Sequence, residues 1–374
     1  MSNDLDKKVI LLTGSTGVVG SAFLYEVILK SEHELYLPIR AKKNKSPKDR
    51  IISILKFYDS KLSLEQLINR VHIFDADLTL PRMGKSEEFY QELINKITHI
   101  VHSAASVELH TSITDALKNS LAPTNEILKF QKLVQQKRNC PMEYVSTVGV
   151  LGKSNNILVE KKVDFTRSYH NAYEEAKSVA EEQIFKAIKE ENLPIVIHRP
   201  SMIIGDSING RIIHEQIFYF ILKFISGKFT FGLFPSVGTL HLDTIPIDKV
   251  AQIIFASMNN TLPKGTILHH CSGPKISIEV SYLQQLLRDN SLLNIYVPLR
   301  FVKFYFNLLH FLAVLTRNKS NLKKAKVLKN ILEYSLNDSK FSNELTKKVI
   351  AIWGINIPSP KEYISKVIRE YNCS

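Results

Sequence analysis

Tyr173-Glu-Glu-Ala-Lys177 carries the sharpest chemical signal in the chain. On a helix, the i, i+4 spacing sets the phenol and the ammonium on one face. An unperturbed tyrosine titrates at about 10, too high for easy proton exchange near neutrality. A neighbouring ammonium stabilises the phenolate and brings that value down. The pair can then donate or accept a proton beside a nicotinamide. Residues 141–147 read as a strand that ends on two hydroxyls, Ser146 and Thr147, and 172–190 reads as the long amphipathic helix that carries Tyr173 and Lys177. The plain alternative is a surface tyrosine and lysine on a solvated face.

A nicotinamide needs a dinucleotide site, and residues 9–20 have the pattern for one. Four apolar residues, 9–12, predict a buried strand; Thr13 and Gly14 open a turn; Gly17 and Gly20 follow at three-residue steps; residues 21–30 predict a helix. Backbone N–H groups at such a helix start, with the positive end of its dipole, attract a diphosphate, and glycines let it come close. The loop residues are Gly14, Ser15, Thr16, Gly17, Val18, Val19 and Gly20. After the second predicted strand, 34–40, an acidic residue would hold a free ribose 2′-hydroxyl. Here stand Arg40, Lys42 and Lys43, which suit a 2′-phosphate and hence NADP. Pro38 inside that strand is easiest at its end, or where its missing N–H is not needed by the ladder.

Further strands are predicted over 71–75, 98–102 and 193–200, with helices between them. Strands alternating with helices make a doubly wound α/β parallel sheet of the Rossmann type, with sites at the strand carboxyl ends. Asp77, beside Leu78, can meet the adenine amino group or cap its own turn. The small residues Ser103, Ala104 and Ala105 let the backbone pass close to the cofactor.

Composition sets bounds. The 374 residues suit two lobes, and 44% hydrophobic content is ordinary for a globular protein. A Rossmann domain is expected over 1–205, with 247–267 returning to it, and a smaller substrate lobe over 206–246 and 268–374. Three scattered cysteines give neither a disulfide framework nor a metal spacing, so a cytoplasmic setting and no metal are expected. The polar N-terminus gives no sign of a secretory leader. The net charge is +13, and residues 300–374 hold 14 Lys/Arg against 5 Asp/Glu. Such a bias can serve an anionic partner or be a solvated basic face. No nucleic-acid motif accompanies it. Residues 299–316 predict an apolar, aromatic helix with a narrow polar stripe, and a basic run extends to 329. This helix can pack in the lobe, line an acyl tunnel, or make peripheral membrane contact in the plane of a bilayer.

Together, Thr13-Gly14-x-x-Gly17-x-x-Gly20, Ser146-Thr147 and Tyr173-x-x-x-Lys177 resemble the extended short-chain dehydrogenase/reductases. Within them the chain is most similar to the thioester reductase and fatty acyl-CoA reductase branch. The stretches 70–84, His102-Ser-Ala-Ala-Ser-Val107, Asn119, 199–210 and 245–251 carry that closer match, and the resemblance covers about residues 8–270. Val18 stands where the glycine loop usually has an aromatic residue. The resemblance implies NADPH as cofactor, with Asn119, Pro200, Ser201 and Met202 added to the cofactor-binding residues. It implies an acyl-CoA or an acyl carrier protein thioester as substrate and an aldehyde, or then an alcohol, as product. Thr147 and Tyr173 would hydrogen-bond the growing oxyanion, and Lys177 would tune the tyrosine and hold the nicotinamide ribose. Sugar-nucleotide dehydratases of this scaffold carry Asp-Glu after the catalytic threonine; Val148 and Gly149 follow here. An epimerase, a keto/hydroxy-steroid-like reductase and a non-catalytic NADP-binding regulator stay open as alternatives.

Overall fold

The structure, a computed structural model, describes residues 7–373 apart from 43, 44, 64, 68, 106–111, 155, 165, 227–233, 237–239, 289–295, 299, 300, 302–306 and 308–339. Its first part alternates strand and helix: β1 (Val9–Thr13), α1 (Val18–Lys30), β2 (Glu34–Ile39), α2 (Pro47–Tyr58), β3 (Val71–Asp75), α3 (Glu87–Lys96), β4 (His99–His102), α4 (Ile113–Gln135), β5 (Met142–Val145), α5 (Ala172–Glu190) and β6 (Ile195–Pro200). There follow β7 (Met202–Ile204), α6 (Ile217–Ile225), β8 (Phe234–Ser236), β9 (His241–Leu242), β10 (Thr244–Pro246), α7 (Ile247–Asn259), β11 (Ile267–His270), β12 (Ile278–Glu279), α8 (Val280–Arg288), β13 (Tyr296–Pro298), α9 (Glu344–Ile352) and α10 (Pro360–Cys373).

Seven strands form one parallel sheet in the order β11-β6-β5-β4-β1-β2-β3. The order reverses direction at β1 and β4, so a crevice opens beyond their carboxyl ends. Helices cover both faces, which is why the central strands read as near-continuous apolar runs. On one face Phe23 and Val27 of α1, Ile51 of α2 and Ile254 of α7 share a core. On the other, Leu93 of α3, Phe130 of α4 and Ile184 of α5 pack together. Side-chain caps start several helices: Ser46 accepts from Asp49 N at 3.1 Å, and Asn171 accepts from Glu174 N at 3.0 Å.

Pro38 sits inside β2 without breaking the sheet. Leu35 N points to Arg70 O on the β3 side. By the two-residue period, position 38 faces β1, whose pairing with β2 ends at Tyr36. The proline thus falls where no ladder bond is due.

A third core joins Phe218 and Leu222 of α6, Leu283 of α8, and Tyr363 and Val367 of α10. Strand β11 lies in the large sheet beside β6 and runs to His270, just past the boundary expected at 267. Ile350 and Ile357 also pack into the α1/α7 core, so part of the C-terminal region returns to the large sheet. The predicted helix of 299–316 and its basic extension to 329 lie outside the described residues, save Phe301 and Asn307. Among the described residues, no helix is long and apolar enough to cross a membrane.

Candidate active site

The glycine loop closes the turn between β1 and α1. Gly17 N donates to Gly14 O at 2.8 Å, and Gly14 holds φ +72°, a conformation that favours glycine. A Cβ on Gly20 would lie 2.2 Å from Gly14 O, so this position admits no side chain. Gly17 differs: a Cβ there would meet only Gly14 O, at 3.2 Å, and the loop's outer side is otherwise open. No side chain caps α1 at Gly17, which leaves its first-turn N–H groups for an anion. Ser15 Oγ is buried and has no hydrogen-bond partner among the described residues. An uncapped helix start, a glycine cradle and an orphaned hydroxyl together fit the diphosphate of a dinucleotide.

Ser103 and Ala104 back this loop. Ser103 Oγ donates to Thr13 O at 2.8 Å, Ala104 N donates to Thr13 Oγ1 at 3.3 Å, and a Cβ on Gly14 would collide with Ala104 N at 2.7 Å. Ala105 follows them beyond the end of β4.

The basic end has a member that spacing did not disclose. Arg50, on α2, donates to Thr16 Oγ1 at 2.6 Å and to Arg40 O at 2.9 Å. It therefore links the glycine loop to the Arg40 turn. Burial, and then the Arg40 charge, push the Arg50 guanidinium down from its usual value. Arg40 is exposed, and Lys43 lies outside the described residues. Asp77 caps its own turn: Oδ1 accepts from Thr79 N at 2.9 Å and Thr79 Oγ1 at 2.7 Å. Leu78 packs partly buried against the core of the α3/α4 face. Asn119 turns back on its helix, donating to Asp115 O at 2.8 Å; no contact joins it to the other candidates.

Thr147, Tyr173 and Lys177 converge at the carboxyl end of β5. Thr147 Oγ1 caps the short 3₁₀ turn that follows, accepting from Gly149 N at 3.1 Å, and donates to Pro200 O at 3.5 Å. The Tyr173 phenol lies near the Thr147 side chain. Burial, and then the Glu174 carboxylate, push that phenol well above its usual range, and the nearby Thr147 side chain opposes them. The expected lowering by Lys177 is not what this geometry gives. The Lys177 ammonium donates to Val145 O at 2.8 Å and sits 4.9 Å from the Tyr144 ring centre. Burial brings Lys177 down to about 8, while Glu181 opposes the shift. Ser201 and Met202 continue β6 beside Thr147: Ser201 N donates to His270 O at 2.9 Å, and Met202 N to Asp243 O at 3.3 Å.

Beneath this group lies a buried ion pair. Glu181 and Arg199 are fully buried and bonded through two parallel contacts, Nε to Oε2 at 3.1 Å and Nη2 to Oε1. Ser146 Oγ donates to the same carboxylate at 2.6 Å. Ser146 is therefore committed to the support, whereas Thr147, half-buried, makes its side-chain bonds to backbone only, at Gly149 N and Pro200 O. Removing one partner of such a pair costs about 3–5 kcal/mol. The signal for Glu181 was present in sequence, four residues after Lys177, where it reads as one more charge on a solvated helix face.

A family model described as male sterility protein, an NAD-binding family, matches residues 12–254. This chain belongs to the male sterility protein family. Membership places it among the NAD(P)-binding domains of the extended short-chain dehydrogenase/reductase type, in agreement with the sheet order and the glycine loop. A curated relative, fusarin C synthetase of Gibberella moniliformis (strain M3125 / FGSC 7600), is 28% identical over 286 residues, covering 74% of this chain and 7% of the relative. The chain thus spans a small fraction of the curated proteins it matches. Among solved structures, the terminal R domain from the myxalamid PKS-NRPS biosynthetic pathway is 24% identical with a TM-score of 0.79, over 97% of this chain and 90% of that one. A thiolation-reductase di-domain from an archaeal non-ribosomal peptide synthetase is 21% identical with a TM-score of 0.74, over 97% and 75%. At these identities both likenesses speak for the fold.

Proposed function

We propose that the chain is an NADPH-dependent reductase of acyl thioesters, releasing an aldehyde. The observation that carries this reading is the gathering of three side chains at the end of β5: Thr147 just after the strand, Tyr173 near it, and Lys177 one helical turn on, its ammonium donating to Val145 O at 2.8 Å. Residues 14–20 would hold the diphosphate, and Arg40 and Arg50 the 2′-phosphate. A bound reduced nicotinamide supplies hydride to the carbonyl carbon. Thr147 and Tyr173 hydrogen-bond the carbonyl oxygen as negative charge grows on it, in a site that excludes much of the water. Tyr173 then gives that oxygen its proton. Lys177, charged, holds the cofactor ribose and assists the phenol once it turns from Val145 O. Collapse of the hemithioacetal expels the thiol. Val148 and Gly149 leave no acid–base pair after Thr147 for dehydration chemistry.

The thioester would arrive on a phosphopantetheine carrier or on coenzyme A. A fold shared with a thiolation-reductase di-domain, and a curated relative named as a lipopeptide synthase, favour the carrier. A cytoplasmic setting suits an NADPH-linked reaction. The test is NADPH oxidation by the purified chain with acyl-carrier, acyl-CoA and nucleotide-sugar substrates. Oxidation with thioesters, with thiol released, is the expected result; turnover confined to nucleotide-sugars would overturn the reading.

A further inference from the structure

We propose that Glu181 is a positioning residue that locks Thr147, Tyr173 and Lys177 into one working arrangement and keeps the Lys177 ammonium charged. The proposal rests on the reductase reading above.

Three elements meet at this carboxylate. Ser146 Oγ of the β5 end donates to it at 2.6 Å, and Ser146 directly precedes Thr147. Arg199 of β6 grips it with two nitrogens, and Arg199 directly precedes Pro200, whose carbonyl accepts from Thr147 Oγ1. Glu181 itself stands on α5 one turn after Lys177 and two after Tyr173. One side chain thus fixes the rotation of α5 against both strands whose ends carry the hydroxyl site. Arg199 extends the tie by donating to Lys161 O at 2.9 Å, in the connection between Thr147 and Tyr173.

The charge argument follows from what surrounds Lys177. Tyr144 faces it from β5 and His102 from β4, and Tyr173 and Glu181 stand one turn before and one turn after it on its own helix. Burial pushes Tyr144 up, so it is neutral. Burial, and then the Lys177 charge, bring His102 down to about 3, so it is neutral too. Tyr173 is held neutral by its own burial. Of these four, Glu181 is the acidic group, and the Arg199 cation of β6 is bonded to it through two nitrogens.

The experiment uses the full chain with two substitutions, Glu181→Gln and Glu181→Asp. Lysine labelled with ¹³C at Cε reports the Lys177 titration by NMR, whether or not the protein turns over. In Glu181→Gln the Lys177 midpoint should drop by about 1 pH unit or more. The alkaline limb of kcat/KM should move with it, and kcat should fall at least ~tenfold. In Glu181→Asp the charge stays but its reach shortens. There the midpoint and limb should hold while kcat falls several-fold. Because Glu181→Gln leaves Arg199 without its ion pair, Glu181→Asp carries the positioning test should the first variant fail to fold. A folded Glu181→Gln with an unmoved Lys177 midpoint, or a Glu181→Asp with wild-type kcat, would overturn the proposal. Absence of thioester turnover in the wild type would instead sink the reductase reading, and the NMR midpoint would still decide the role of Glu181.

Discussion

The crevice above β1 and β4 and the lobe built on α6, α8 and α10 are made by different means. The crevice is specified by backbone. Gly14 needs its positive φ, Gly20 has no room for a methyl group, and the start of α1 carries no side-chain cap on its N–H groups. The lobe is specified largely by apolar volume: Phe218, Leu222, Leu283, Tyr363 and Val367 fill one core, with buried bonds such as that between the Tyr363 and Thr244 hydroxyls at 3.0 Å set inside it. Backbone demands permit few residue types at few positions, whereas a packed core accepts many apolar combinations of the same volume.

This contrast can be broken or sharpened experimentally. The largest effect should come from Gly20→Ala, whose Cβ has no space against Gly14 O. Fluorescence titration should show dinucleotide binding lost; binding within twofold of wild type would mean that the loop is not the cradle. Tyr173→Phe should keep NADPH affinity and lower kcat by ~10²–10⁴-fold, the usual worth of a positioned proton donor. Arg50→Ala should weaken NADPH by about tenfold or more while leaving NADH nearly unchanged, as expected for a lost charge-assisted contact. An equal loss for both dinucleotides would place Arg50 on the diphosphate rather than the 2′-phosphate. Leu222→Ala, in the lobe core, should cost about 2–5 kcal/mol of stability. It should leave NADPH affinity where it was, the smallest effect of the set on the crevice; a large loss of affinity would show that the two regions are not separate in energy.

The pH dependence divides in the same way. Burial places Lys177 near 8, below its usual 10.5, with Glu181 opposing. Turnover that needs the ammonium should fall as pH rises through about 8. Stability should move oppositely: the unfolded chain binds the extra proton between about 8 and 10.5, so this group's contribution rises with pH across that window. A pH–rate profile and a melting series on one sample would show the two trends diverge, and parallel trends would remove Lys177 as the titrating group.

Much of the crevice was legible in sequence because its requirements are local. Residues 9–20 fall within one strand–turn–helix unit, and Tyr173 and Lys177 are one turn apart on one helix. Pro38 looked misplaced until the sheet showed β1 leaving β2 after Tyr36. Arg50 was not legible: nothing in residues 46–70 distinguishes it from other surface cations, and only the return of α2 beside the loop brings it to Thr16. Glu181 and Arg199 were hidden for a related reason. A glutamate on an amphipathic helix and an arginine near a strand end both read as solvated charges, and only the packing of α5 on β6 buries them together. The Tyr173 phenol misled in the other direction, because the spacing to Lys177 says nothing of Val145 O, which takes the ammonium. In the C-terminal region, the return of Ile350 and Ile357 to the large sheet depends on tertiary packing alone.

The central claim is tested most directly by single-turnover reaction of the wild type and Tyr173→Phe with NADPH and an acyl thioester on a carrier domain, with quantification of NADPH, free thiol and aldehyde. The account predicts one aldehyde and one thiol per NADPH consumed in the wild type, with Tyr173→Phe binding NADPH but forming almost no product. Thioesters left intact by a wild type that binds NADPH, or equal product from both proteins, would contradict it.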